Sequence, residues 1–117
     1  LRDRGYRLLL LSNCPVSYLE AHAAFFHLER YFHGLFCGEQ FGYRPKHEIC
    51  RELQARYGGG FLAVGDRRQD MDIARRNGLP FIGCAYGYAA PGELDGADRL
   101  IESPAELPAA LAALTGT

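Results

Sequence analysis

Short apolar runs alternate with longer amphipathic stretches along this chain, and most runs close on small or polar residues. Tyr6 to Leu11 is a compact apolar run ending at Ser12-Asn13, which predicts a buried strand and then a loop. Ser17 stands where it can cap a helix running to about Arg30, with Leu19, Ala23, Phe26 and Arg30 at helical spacing. Gly34 to Gly38 predicts a short strand. Pro45 precedes a second helix that sets Ile49, Leu53 and Tyr57 on one face, and Gly58-Gly59-Gly60 ends it. Phe61 to Val64 predicts another buried strand, closing on Gly65-Asp66. The next helix starts at about Asp70 and stops at Asn77-Gly78, with Pro80 just beyond. Phe81 to Ala85 and Asp98 to Ile101 are further strands, separated by a glycine-rich loop from Gly87 to Gly96. Ser103-Pro104 opens a last helix through Leu114, with Pro104 at the favoured first position.

Strands alternating with helices predict an α/β fold, a parallel sheet with helices on both faces. In such sheets the ligand site lies beyond the carboxyl ends of the strands. Ser12-Asn13 and Gly65-Asp66 each follow a strand, so both are expected at that edge. The length, 117 residues, suits one domain over residues 1–117. Its apolar share of 48% is that of an ordinary globular chain, and with a formal net charge of −1 nothing points to a nucleic-acid or membrane surface. Leu8 to Leu11, like every other apolar run of the sequence, is far too short to span a bilayer. The chain opens on Leu1, not Met, so the natural start is expected upstream. Cys14, Cys37, Cys50 and Cys84 form no Cys-x-x-Cys pair, which argues against zinc. Cys37 and Cys84 fall in strand runs typical of buried thiols, which points to a reducing, cytoplasmic setting.

The strongest chemical signal is Gly65-Asp66-Arg67-Arg68-Gln69-Asp70. Asp66 leaves the end of a strand, and Asp70 sits four residues on, at a helix start. Two carboxylates held this way suit a hard divalent cation with oxygen ligands. The competing reading is that Asp70 caps the helix and offsets its dipole. At Ser12-Asn13 a hydroxyl and backbone N–H groups can hold phosphate oxygens, or can form a plain turn. Lys46, just before a helix, can neutralise a phosphate or be a solvated surface cation, and Arg44 competes with it. Arg67, Arg68, Arg75 and Arg76 form either a basic cluster at the site mouth or a solvated helix face. The four histidines show no metal-binding spacing.

Together these pieces resemble the haloacid dehalogenase superfamily, in its phosphoglycolate-phosphatase-like branch. Leu8-Leu9-Leu10-Leu11-Ser12-Asn13 looks like the second motif. Lys46, within Arg44-Pro45-Lys46-His47-Glu48-Ile49, looks like the third-motif lysine. Val64-Gly65-Asp66-Arg67-Arg68-Gln69-Asp70 looks like the fourth motif. The resemblance implies a three-layer, Rossmann-like sheet and a magnesium-dependent phosphohydrolase of small phosphorylated metabolites, with 2-phosphoglycolate first. It implies an aspartate nucleophile that forms an aspartyl-phosphate, and a second aspartate as acid and base. It gives Ser12 and Asn13 to the phosphoryl group, Lys46 to phosphate and nucleophile, and Asp66 and Asp70 to Mg2+.

One motif departs from the pattern. No Asp-x-Asp precedes Ser12, and Asp70-Met71-Asp72 has that spacing but lies inside the fourth motif. The nucleophile, the acid/base and the helical cap are therefore expected upstream of Leu1, and the central first strand with them. Without that strand, two edges are open to a different pairing or to a partner chain. The alternative function is a degenerate, non-catalytic module that binds phosphate or a protein. A metal-free dehalogenase fits less well, because it has no need of the Asp66–Asp70 pair.

Overall fold

The computed structural model describes residues 6–12, 15–27, 30, 32–58, 60–86 and 90–115. In chain order the elements are β1 (Leu9–Ser12), α1 (Val16–Phe26), β2 (Gly34–Cys37), α2 (Lys46–Tyr57), β3 (Ala63–Gly65), α3 (Arg68–Arg76), β4 (Phe81–Cys84), β5 (Arg99–Ile101) and α4 (Leu107–Thr115). Every ladder among them is parallel, as the alternation of strand and helix requires. The fold is α/β. The chain divides into two compact units, Leu1–Ile49 and Cys50–Thr117.

In the first unit β1 pairs with β2, from Leu9 opposite Gly34 to Ser12 opposite Cys37. Both strands therefore finish at the same edge. A 3-10 turn, Gly38–Phe41, leaves β2 there. Ser17 does not cap α1, contrary to expectation. It lies inside the first turn, and the extended Pro15 takes the cap position. The Pro15 carbonyl accepts from the N–H groups of Tyr18 and Leu19, each at 3.1 Å. The first helical N–H, on Val16, donates to the Glu39 carboxylate at 2.6 Å. A tertiary acceptor thus replaces the local one. The helix also ends early, at Phe26, because His27 turns left-handed with φ 54°. Leu19 and Ala23 are buried as their spacing predicts, whereas Phe26 is exposed and stacks on His22.

α2 starts in the first unit and runs on in the second. Its apolar face is as expected: Ile49 and Leu53 are buried and Tyr57 is half-buried. The second unit holds the order β3-β4-β5. β4 is buried along its length, because strands flank it on both sides and α3 packs against it. β3 departs from expectation, since Val64 is 45% exposed. Among the described residues β3 pairs only with β4, so it lacks the double flanking that buries β4.

Met71, Ala74, Leu79, Phe81 and Leu94 form the core of this unit. Helix α3 stops where Asn77-Gly78 predicts: Gly78 has φ 66°, and the Leu79 N–H returns to the Ala74 carbonyl at 2.8 Å. Asp98 ties α3 to β4, accepting from the Phe81 N–H at 2.8 Å and the Arg75 guanidinium at 3.0 Å. The last helix opens as a 3-10 turn, Pro104–Glu106, before α4. Glu106 accepts from the backbone N–H groups of Glu102 and Ser103, at 2.6 and 2.8 Å. No helix among the described residues is long and apolar enough to cross a membrane.

Candidate active site

The acid pair of the second unit is built on a close approach between strand and helix. Gly65 ends β3, and Asp66 follows it directly, half-buried. Asp70 lies in the first turn of α3 and folds back over Gly65. A β carbon on Gly65 would stand 2.4 Å from the Asp70 β carbon and 2.6 Å from its Oδ2. Only a residue without a side chain admits Asp70 here. The glycine therefore sets Asp70 beside the strand end that carries Asp66.

Both readings of Asp70 meet in this geometry. Its Oδ2 accepts from the Arg67 N–H at 3.2 Å, so it does serve the helix start. A carboxylate has further acceptor sites, and that bond uses one of them. Among the described residues no three His, Cys, Asp or Glu side chains form a closed metal site. The donor set still fits magnesium, which binds through one or two carboxylates and keeps several waters.

The first unit carries the other candidates. Ser12 is the last residue of β1, at the edge where the 3-10 turn also begins. Lys46 is the first residue of α2, half-buried. Arg44, its competitor, donates from Nε to the Phe41 carbonyl at 3.3 Å, and its guanidinium lies 5.8 Å from the Phe41 ring centre. It is thus turned toward its own loop. Asn13 lies outside the described residues.

Sequence reasoning missed two residues around the acid pair, Glu93 and Tyr86. Glu93, from the glycine-rich loop, accepts from Arg67 Nε at 2.8 Å, the Arg68 N–H at 2.9 Å and the Ala90 N–H at 3.1 Å. The Arg67 bond first, then the two backbone bonds, holds its carboxyl down at about 2. Arg67 is raised in turn, chiefly by Glu93, with smaller contributions from the charges of Asp66 and Asp70. Tyr86, just past β4, is pushed up to about 12. Its hydrogen bond with Cys84 is the largest cause, then burial, then the charges of Cys84 and Asp66. No local pattern announces Glu93 or Tyr86, since each meets the acid segment only through the fold. Arg67, Arg68, Gln69, Asp72 and Glu93 line a cavity of about 370 Å³. Arg75 does not join a basic cluster at this mouth. It is spent on Asp98 and on the carbonyls of Gly96 and Leu79.

No family model matches the chain. Individual relatives do. The plasmid phosphoglycolate phosphatase of Cupriavidus necator is 35% identical over 95% of this chain and 51% of its own length. A 5'-nucleotidase of Pseudomonas aeruginosa is 33% identical over 80% of this chain and 44% of its own. The crystal structure of a predicted phosphatase from Clostridium acetobutylicum superposes with a TM-score of 0.82 at 26% identity, over 94% of this chain and 54% of that one. The chain belongs to the haloacid dehalogenase superfamily. It spans about half the length of the curated relatives it matches.

Proposed function

We propose that this chain is part of a magnesium-dependent phosphohydrolase acting on small phosphorylated metabolites. The observation that carries the proposal is Asp70 folded over Gly65 beside Asp66 at the end of a parallel strand. The two curated relatives are named for phosphate-monoester substrates, and phosphoglycolate is the first candidate here. In this reading Asp66 and Asp70 hold Mg2+, which when bound supplies positive charge to the phosphoryl oxygens. The Ser12 hydroxyl and the Asn13 backbone N–H donate to the phosphoryl group. The Lys46 ammonium neutralises it and steadies the nucleophile. The engagement of Arg44 with Phe41 supports Lys46 over Arg44 in that role.

The nucleophile is an aspartate outside these 117 residues. It attacks phosphorus, the P–O bond to the leaving alcohol breaks, and the resulting aspartyl-phosphate is hydrolysed by water. Residues 1–117 are read as one domain, in line with the order of the three motifs along the chain. It places the protein in the cytoplasm, in line with the free thiols of Cys37, Cys50 and Cys84. The outer edges of β1 and β3 are where a further strand would pair.

The test is phosphate release from 2-phosphoglycolate and para-nitrophenyl phosphate by the whole protein at limiting magnesium. D66N should lower turnover by about 100-fold or more. Equal turnover in D66N and wild type would remove Asp66 from the site. No turnover in the wild type on either ester would favour a non-catalytic module that only binds phosphate or protein.

A further inference from the structure

Helix α1 is apolar on more sides than the fold buries. Of its eleven residues only Glu20 carries a formal charge. Leu19 and Ala23 supply the buried face. A second stripe runs along another side: Tyr18, Ala21, His22 and Phe25 at the spacing of one helix face, with Phe26 beside it. Its rings stand in solvent, Tyr18 at 56%, Phe25 at 77% and Phe26 at 55% exposure. The stripe is already ordered. The Tyr18 and His22 rings lie 4.1 Å apart, His22 stacks on Phe26 at 5.8 Å, and Phe25 meets Phe26 edge-on at 4.9 Å. The His22 Nδ1 lies 3.2 Å from the Tyr18 carbonyl oxygen, which holds the central ring. Rings fixed against one another lose little freedom when something docks on them.

The pattern fits a second copy of the same helix. From either end the stripe runs ring, then Ala21 and His22 at its centre, then ring. Two such helices laid antiparallel match, with Tyr18 of each copy against Phe25 of the other and the small Ala21 at the crossing. The stripe carries no formal charge, so two copies meet without repulsion. The area agrees. The exposed parts of the three rings come to on the order of 400 Å² per copy. Two copies with the residues between the rings then cover roughly 1,000 Å², the lower bound for a specific interface. We propose that α1 carries a weak homodimer interface, in which Tyr18 and Phe25 of two copies interlock antiparallel across a two-fold axis near Ala21 and His22. Such a contact closes on itself, so it gives a dimer and not a chain of copies. It uses none of the residues assigned to phosphate or metal.

The experiment is sedimentation equilibrium of the whole protein over a concentration series, on wild type, F25D and Y18D. Wild type should show a monomer–dimer equilibrium with Kd in roughly the 10–100 µM range. F25D and Y18D should each weaken it by at least about tenfold, because each places a charge in the contact. Their circular dichroism should match wild type, since both rings are exposed. The arrangement is read by mild oxidation of Y18C/F25C and mapping of the cross-linked peptides. Within one helix the two positions lie about 10 Å apart, too far for a disulfide, so a link between them reports two copies. A wild type that stays monomeric to about 1 mM would overturn the proposal, and another part of the protein or a different partner then covers this face. Undiminished dimerisation in both aspartate variants would overturn it as well, and would move the contact elsewhere, such as to an open strand edge. If the aspartate variants fail to fold, Y18C/F25C decides. Links from the Tyr18 position to the Phe25 position sustain the interface; links between like positions only, or none, end it.

Discussion

At Gly65 a β carbon would fall 2.4 Å from the β carbon of Asp70, far inside the distance at which nonbonded carbons rest. Neither atom can swing aside, because both are fixed to backbone. At Gly83 the nearest atoms are instead the Leu100 Cδ2, at 2.9 Å, and the Leu94 Cδ1, at 3.1 Å, which are side-chain tips that can rotate. G65A is therefore expected to destabilise by about 1–3 kcal/mol, and by more than G83A. Urea denaturation of the two variants checks this, and equal midpoints would mean that Asp70 yields easily. The Asp66–Asp70 relation was legible in the sequence because four residues across a strand-to-helix turn is a local distance. The partner of Arg67 was not, because Glu93 comes from 26 residues away.

Between elements, carboxylates do the tying. Glu39 receives the first N–H of α1, Asp98 joins α3 to β4, and Glu93 joins its loop to the start of α3. This explains why some element boundaries could be read and others could not. Pro45 and Asn77-Gly78 act through their own backbone, so the start of α2 and the end of α3 fall where the sequence places them. The start of α1 depends on Glu39, 23 residues from Val16, and the local signal at Ser17 misleads. The Glu93 tie also has a pH signature. Its carboxyl is lowered from 4.5 to about 2 on folding, so its contribution is complete above about pH 4.5 and is lost as pH falls toward 2. E93Q does not titrate, so its stability should fall less steeply over that window. A residual slope should remain in E93Q, because Asp98 is lowered too, mainly by the Phe81 N–H and Arg75. Urea midpoints measured from about pH 5 to about pH 2 check this, and parallel curves would show that Glu93 is not held in solution.

Over the whole molecule, the α/β class and the parallel sense of the strands were readable, since both follow from the alternation of short apolar runs with amphipathic helices. Strand burial was not readable, because it depends on how many neighbours a strand has in its sheet. β4 and β3 show the contrast: the first is flanked twice, and the second exposes Val64. The cysteines carry a last consequence. Cys37 lies in β2 of the first unit and Cys84 in β4 of the second, both buried and both free, while Cys50 on α2 is half-buried. Among the described cysteines, the fold has thus shielded one sulfur in each unit as a silent clock. Alkylation by iodoacetamide, read peptide by peptide across a urea series, should mark Cys50 before Cys37 and Cys84. If residues 1–117 unfold as one cooperative body, Cys37 and Cys84 become reactive at the same urea concentration. Two separate thresholds would mean that each unit opens on its own.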